Sequence, residues 1–261
     1  MAKAKQRADQ LVFAQGLAES LELATRLVMA GRVRVAAGGR EALVDKPGML
    51  FPVGTVFTLA VGERYVSRGG GKLETALAAF SLDVAGAVAL DAGASTGGFT
   101  DCLLQHGAAR VYAVDVGTAQ LHEKLRADGR VVSMEQVNLR HAPADLLPEP
   151  VDLAVADLSF ISLRAVLPSL VRFVKPGGLV VALIKPQFEL GPQQVGKGGV
   201  VREEADRQEA IATVTGFARE ALGLSLLGVV PSKVKGPKGN QEYLAAFRLA
   251  PAEASPSPSL P

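Results

Sequence analysis

The chain has 261 residues, 28 Lys and Arg against 26 Asp and Glu, and 48% hydrophobic residues, which suits a globular protein with one sizeable core and room for a small second module. A single cysteine excludes a disulfide framework or a Cys-rich zinc site, and three scattered histidines give no metal-ligand spacing. The longest aliphatic run, LVVALI at 179–184, is far short of the roughly 20 residues that span a bilayer, and the start, MAKAKQRADQ, leads into a polar helix rather than an apolar signal core. The expected setting is cytoplasmic, with no bound metal and no membrane.

The first module is expected at 1–61. Residues 8–17 and 21–30 read as short helices, the second capped by Ser20, stopped by Gly31 and given an apolar face by Leu23, Leu27 and Met29–Ala30. Strand-like pieces follow at 32–36, 41–44 and 55–59, with Gly38-Gly39 as the turn between the first two. Residues 62–71 (GERYVSRGGG) form a polar, Gly-rich linker.

A helix at 72–80 opens the large domain, expected over 72–250. Buried strands fit 87–91, 110–115, 131–134, 151–156, 178–184, 226–231 and 243–249, and helices fit 98–106, 118–127, 162–174 and 203–222. Strands alternating with helices predict a Rossmann-like, doubly wound α/β sheet, mostly parallel, beside a small α+β module. The loop at 232–241 is short enough to make the last strand antiparallel. The Pro/Ser-rich 251–261 reads as a disordered tail.

Ligands of open α/β sheets bind at the carboxyl ends of the strands. There, LDAGASTGGFT at 90–100 gives an acid, a Gly-rich turn and a helix, but Ser95 breaks the dinucleotide GxGxxG pattern and no Walker loop is present. The next strand ends at Asp115, placed for a ribose diol. An acid, a Gly turn and a second acid without a pyrophosphate cradle suit S-adenosylmethionine. Asp91, Gly93, Ser95, Gly97, Gly98 and Phe99 are expected at its methionine end, Asp115 and Val116 at its ribose and adenine, and Asn138 on the adenine side. Four more ionisable residues converge on this edge: Asp157 and Lys185 at strand ends, Lys72 at a helix start, and Glu242 at the start of the last strand.

These stretches resemble a known family. SRGGGKLETAL (67–77), LDAGASTGGFTDCLL (90–104), DLSFISL (157–163), IKPQFE (184–189), VGKGGVVRE (195–203) and GPKGNQEYL (236–244) are similar to the FtsJ-like methyltransferases. With the N-terminal module, where RADQLVFAQGLAES and ATRLVMAGRVRV resemble an S4 RNA-binding domain, the chain looks like the TlyA family, whose members also carry the label hemolysin A. The resemblance implies a class I fold and an S-adenosylmethionine-dependent 2′-O-methyltransferase of 16S and/or 23S ribosomal RNA cytidines. It implies a catalytic Lys-Asp-Lys-Glu tetrad at Lys72, Asp157, Lys185 and Glu242, with Lys185 as base or orienting donor for the ribose hydroxyl. Ribosomal RNA or ribosomal subunits would be the partner, met by Arg7, Arg26, Arg32, Arg34, Lys197 and Lys235. The first 60 residues carry eight basic against five acidic side chains, although Leu21 stands where an Arg commonly follows the Ser of the S4 pattern. The competing readings are a non-catalytic RNA- or ribosome-binding protein and a membrane-active hemolysin.

Overall fold

The computed structural model describes residues 4–37, 40–60 and 64–251. The Gly38-Gly39 turn and all of the expected tail except Pro251 lie outside the described residues. The chain divides into two compact units at Arg64/Tyr65.

In the first unit, β1 (Lys5–Arg7) leads into α1 (Ala8–Ala14), followed by α2 (Leu21–Met29), β2 (Val33–Ala37), β3 (Arg40–Val44), β4 (Leu50–Pro52) and β5 (Phe57–Leu59). Ser20 caps α2, its hydroxyl accepting from Leu23 N at 3.1 Å, and Gly31 turns the chain at φ +65°. The buried stripe of α2 is Ala24 and Val28, four residues apart, while Met29 is 65% exposed. Leu23 and Leu27 lie only half-buried at the margin of that core, so the apolar face is rotated from the expected one. β2 sits between β3 and β5 in an antiparallel sheet, and β1 pairs with β4. That last pair was not foreseen, because two three-residue strands whose partners, such as Gln6 and Phe51, lie 45 positions apart have no periodicity to read.

The second unit is a seven-stranded sheet. Its strands are β6 (Val88–Ala92), β7 (Arg110–Val114), β8 (Val131–Met134), β9 (Val151–Ala156), β10 (Val174–Ile184), β11 (Ser225–Pro231) and β12 (Tyr243–Arg248), in the order β11-β12-β10-β9-β6-β7-β8. β12 runs antiparallel to both neighbours, and the central pairs are parallel. Alternation sorts each strand between two cores. In β10, Val180, Ala182 and Ile184 enter one, and Val181 and Leu183 the other. α3 (Gly69–Ala79) and α4 (Gly98–Gln105) cover the second face with Leu73, Ala76, Phe99 and Leu103. The short α5 (Glu123–Arg126) adds Leu125 to that same core, while the other face is covered by α6 (Leu167–Leu170) and α8 (Glu204–Leu222); the short α7 (Pro186–Glu189) follows β10.

Three expected elements change. The helix expected at 118–127 is reduced to α5, because Gly117 N donates to Asp115 and His122 caps Lys124 N, holding 115–122 as turns. The helix expected at 162–174 is α6 flanked by 3-10 turns, since Pro168 has no N–H to continue a longer helix. The linker expected at 62–71 is partly structural: Tyr65 is buried and α3 begins at Gly69. Its glycines allow a close approach. A Cβ on Gly98 would stand 2.8 Å from Gly70 N and 3.0 Å from Gly69 Cα, so α3 and α4 start against one another.

Candidate active site

The turn between β6 and α4 runs through left-handed backbone at Gly93 (φ +81°), Ser95 (φ +49°) and Gly97 (φ +96°). A Cβ at Gly93 would meet Asp157 O at 2.8 Å, so this turn and the end of β9 touch backbone to backbone. Two adjoining cavities open over it. One, of about 290 Å³, is lined by Lys72, Ser95, Gly98, Phe99, Asp157 and Lys185 among others. The second, of about 490 Å³, is lined by Asp115, Val116, Asn138 and Phe160 among others. Gly93, Ser95, Asp157 and Ser159 border both, so the two form one path.

Three of the four converging ionisable residues, Lys72, Asp157 and Lys185, line the first cavity, and Glu242 joins them from beneath its wall. Lys185 Nζ lies 2.5 Å from Asp157 Oδ1, and Lys72 Nζ lies 3.6 Å from Asp157 Oδ2 and 2.7 Å from Glu242 Oε2. Asp157 thus bridges the two lysines with its two oxygens. Glu242 is fully buried behind Lys72, and Gly236 packs against its carboxylate, where no side chain would fit. Lys72 and Lys185 are 8% and 7% exposed, an unusual burial for ammonium groups without paired carboxylates.

The expected cofactor residues divide. Gly93, Ser95, Gly98, Phe99, Asp115, Val116 and Asn138 line the cavities. Asp91 and Gly97 do not border them; Asp91 is buried at the end of β6, and Gly97 is buried in the turn, where it packs against Leu121 and Leu125. Thr100 Oγ1 donates to Asp91 Oδ2 at 2.6 Å, while Oδ1 is buried without a hydrogen bond. Burial, opposed by the Thr100 bond, pushes the Asp91 carboxyl up to about 7. Asp115 also holds the turn, accepting from Ser95 N at 2.8 Å and Gly117 N at 2.7 Å. Its remaining lone pairs are open to the diol of a nucleoside. An orphaned acceptor under the turn, a glycine cradle and an acid at the far cavity fit the amino and ribose ends of S-adenosylmethionine.

Of the expected RNA contacts, Lys235 lines the first cavity, and Lys197 and Arg26 are exposed. The other three arginines have local partners. Arg7 clasps Asp9 (Nε–Oδ1 3.0 Å), Arg32 Nε and Nη2 donate to Ala60 O, and Arg34 Nη1 donates to Gly31 O at 2.9 Å. Side chains the sequence reading passed over also stand here. Ser159 accepts from Lys185 Nζ at 2.9 Å, and Phe160 is 90% exposed at φ +63°, its ring centroid 5.2 Å from that of Phe188. Both belong to the DLSFISL stretch, whose signal was spent on Asp157 alone.

The profile of the FtsJ-like methyltransferase family matches residues 65–249. The 16S/23S rRNA (cytidine-2′-O)-methyltransferase TlyA of Mycobacterium tuberculosis is 46% identical over 93% of this chain and 89% of its own length. The YqxC protein of Bacillus subtilis, whose name proposes rRNA methylation, is 43% identical over 100% of this chain and 92% of its own. A solved structure from Streptococcus thermophilus, titled as a hemolysin, superposes with a TM-score of 0.71 at 50% identity, covering 95% of this chain and 90% of that one. By these matches the chain belongs to the FtsJ-like methyltransferase family, within its TlyA group, and uses S-adenosylmethionine.

Proposed function

We propose that the chain methylates the ribose 2′-hydroxyl of a cytidine in 16S or 23S ribosomal RNA. The observation that carries this reading is the ion network of Lys72, Asp157, Lys185 and Glu242 at the first cavity, with Asp157 bordering the second cavity as well. When bound, S-adenosylmethionine supplies an electrophilic methyl group on a sulfonium. An alcohol is a weak nucleophile, so the remaining work is to hold its oxygen in line and manage its proton. Lys185 faces the cavity and does this for the acceptor hydroxyl. Asp157 fixes Lys185 from one side, and Lys72, held by Glu242, fixes Asp157 from the other.

RNA approaches across exposed cations. Lys235 lines the reaction cavity, Lys197 is exposed on the same unit, and Arg26 stands on the first unit, which we read as an S4-like RNA-binding domain over 1–61. Arg7, Arg32 and Arg34 serve first as braces of that domain and offer only their remaining N–H groups to phosphate. For the hemolysin label of some relatives, no helix among the described residues is long and apolar enough to cross a membrane.

The test is transfer of labelled methyl from S-adenosylmethionine to unmethylated ribosomal subunits and free ribosomal RNA, with the product mapped by mass spectrometry of nuclease fragments. Label on a cytidine 2′-oxygen with wild type, and none with Lys185→Ala that still binds the cofactor, is expected. Label on a base, or none on any RNA, refutes the reading.

A further inference from the structure

We propose that Ser159 is a positioning residue for the Lys185 amine, a fifth member of the acceptor-handling group. The argument rests on the methyl-transfer reading above and starts from the freedom of a lysine. Its ammonium sits on a four-carbon stem and presents three equivalent directions, so a single ion pair leaves it free to pivot. Asp157 Oδ1 occupies one direction, and the Ser159 hydroxyl, accepting at 2.9 Å, occupies a second. With two directions fixed, the third has one orientation. Lys185 and Ser159 both line the first cavity, so that remaining direction is available to the acceptor hydroxyl.

The backbone around Ser159 is built to hold it there. Ser159 is followed by Phe160 in left-handed conformation, φ +63°, which a bulky side chain disfavours and which persists only where neighbours over-determine it. The neighbour is Glu189, on α7 one turn after Lys185. Its buried carboxylate accepts from Ser162 Oγ at 2.5 Å and from Leu163 N at 2.8 Å. The loop that carries Ser159 is therefore clamped by the same short helix that follows Lys185. Burial pushes the Glu189 carboxyl up, against those two hydrogen bonds. The acid is kept as a fastener, and nothing in the methyl-transfer step uses it.

The test compares wild type, Ser159→Ala and Ser159→Thr on the RNA that wild type methylates, with kcat and the KM of S-adenosylmethionine measured separately and cofactor binding read by calorimetry. A displaced reacting group costs roughly ten- to a hundredfold in rate. The expected result is a fall of that size in kcat for Ser159→Ala, a cofactor KM within twofold of wild type, and recovery of most of the rate in Ser159→Thr, which keeps the hydroxyl. Three results overturn the proposal: an unchanged kcat in Ser159→Ala, an equal loss in Ala and Thr, or a loss carried in cofactor KM, which would make Ser159 a cofactor contact. An active wild type with an inactive Lys185→Ala upholds the parent reading whichever way the Ser159 variants fall; an inactive wild type overturns both.

Discussion

Asp91 is costly to keep buried, and Asp91→Asn measures that cost. The carboxyl has no exposed surface, one hydrogen bond, from Thr100, and an unpartnered Oδ1. Its pKa is raised from 3.8 to about 7, by burial first. A carboxylate with a raised folded pKa binds its proton more tightly in the native state. Between pH 4 and 7 the folded chain holds more protons than the unfolded one, and stability from this group falls as pH rises through that window. A shift of three units corresponds to about 4 kcal/mol once the group is ionised, of which about 3 kcal/mol develops between pH 5 and pH 8. Asparagine keeps an acceptor for Thr100 and cannot ionise, but it buries an unpartnered amide, which costs about 1–3 kcal/mol at every pH. The difference between variant and wild type therefore moves toward the variant by about 3 kcal/mol from pH 5 to pH 8, whatever its sign at the start.

Urea unfolding followed by far-ultraviolet circular dichroism at the two pH values measures this, and titrations common to both proteins cancel. The gain in stability should accompany a loss of S-adenosylmethionine affinity of tenfold or more, because the variant lacks the buried negative charge beneath a cationic ligand. A stability difference that does not change with pH, or that moves toward wild type as pH rises, refutes the reasoning.

Gly98→Ala should force α3 away from α4, since its Cβ would stand 2.8 Å and 3.0 Å from the backbone of Gly70 and Gly69. The overpacking costs about 1–3 kcal/mol, visible as a lower melting temperature, and displaces Lys72, so activity should fall further than stability alone explains. Phe160→Ala removes an aromatic face that is 90% exposed at the rim of the second cavity. If that face receives a base of the RNA, kcat/KM for RNA should drop by roughly 5- to 150-fold, the equivalent of about 1–3 kcal/mol of stacking, with cofactor binding unchanged; an equal loss in cofactor affinity would assign the ring to the adenine instead.

Much of this was legible in the sequence for a physical reason. Parallel strands buried on both faces are continuous apolar runs, and the chain must leave each of them at one shared edge. Reading what stands at those exits was enough to gather Asp115, Asp157 and Lys185, and the antiparallel return of β12 brought Glu242 to the same edge as Lys72. Partnership was not legible. Arg7, Arg32 and Arg34 counted as free positive charge in the sequence, yet Asp9 and the carbonyls of Ala60 and Gly31 take part of their hydrogen-bonding capacity. The same blindness hid Ser159, because a serine two residues after an acid reads as loop until the turn at Phe160 aims it at a lysine. Burial was not legible either: Asp91 was singled out, and the structure places it fully buried at the end of β6, bonded to Thr100 and outside the cavity lining.

On the proposed reading, the arrangement also accounts for four charged groups where one proton is to be handled. A lysine near the acceptor would repel a cationic sulfonium brought to the same cavity, and two lysines would do so twice. Asp157 answers this with both oxygens, one to each lysine, and Glu242 adds a second negative charge from behind, fully out of water. The two ammonium and two carboxylate charges cancel, and the cavity can take a positive ligand without opposing it. Cancellation by direct contact also fixes geometry, since each ion pair in so buried a place is strong only while its distance holds. Moving one member leaves a buried charge uncompensated, and the others must shift to meet it. On the proposed reading, the network would position the acceptor and admit the cofactor by the same contacts, and the residues that hold Lys185 in place, Asp157 on one side and Ser159 on the other, would matter as much to transfer as the amine itself.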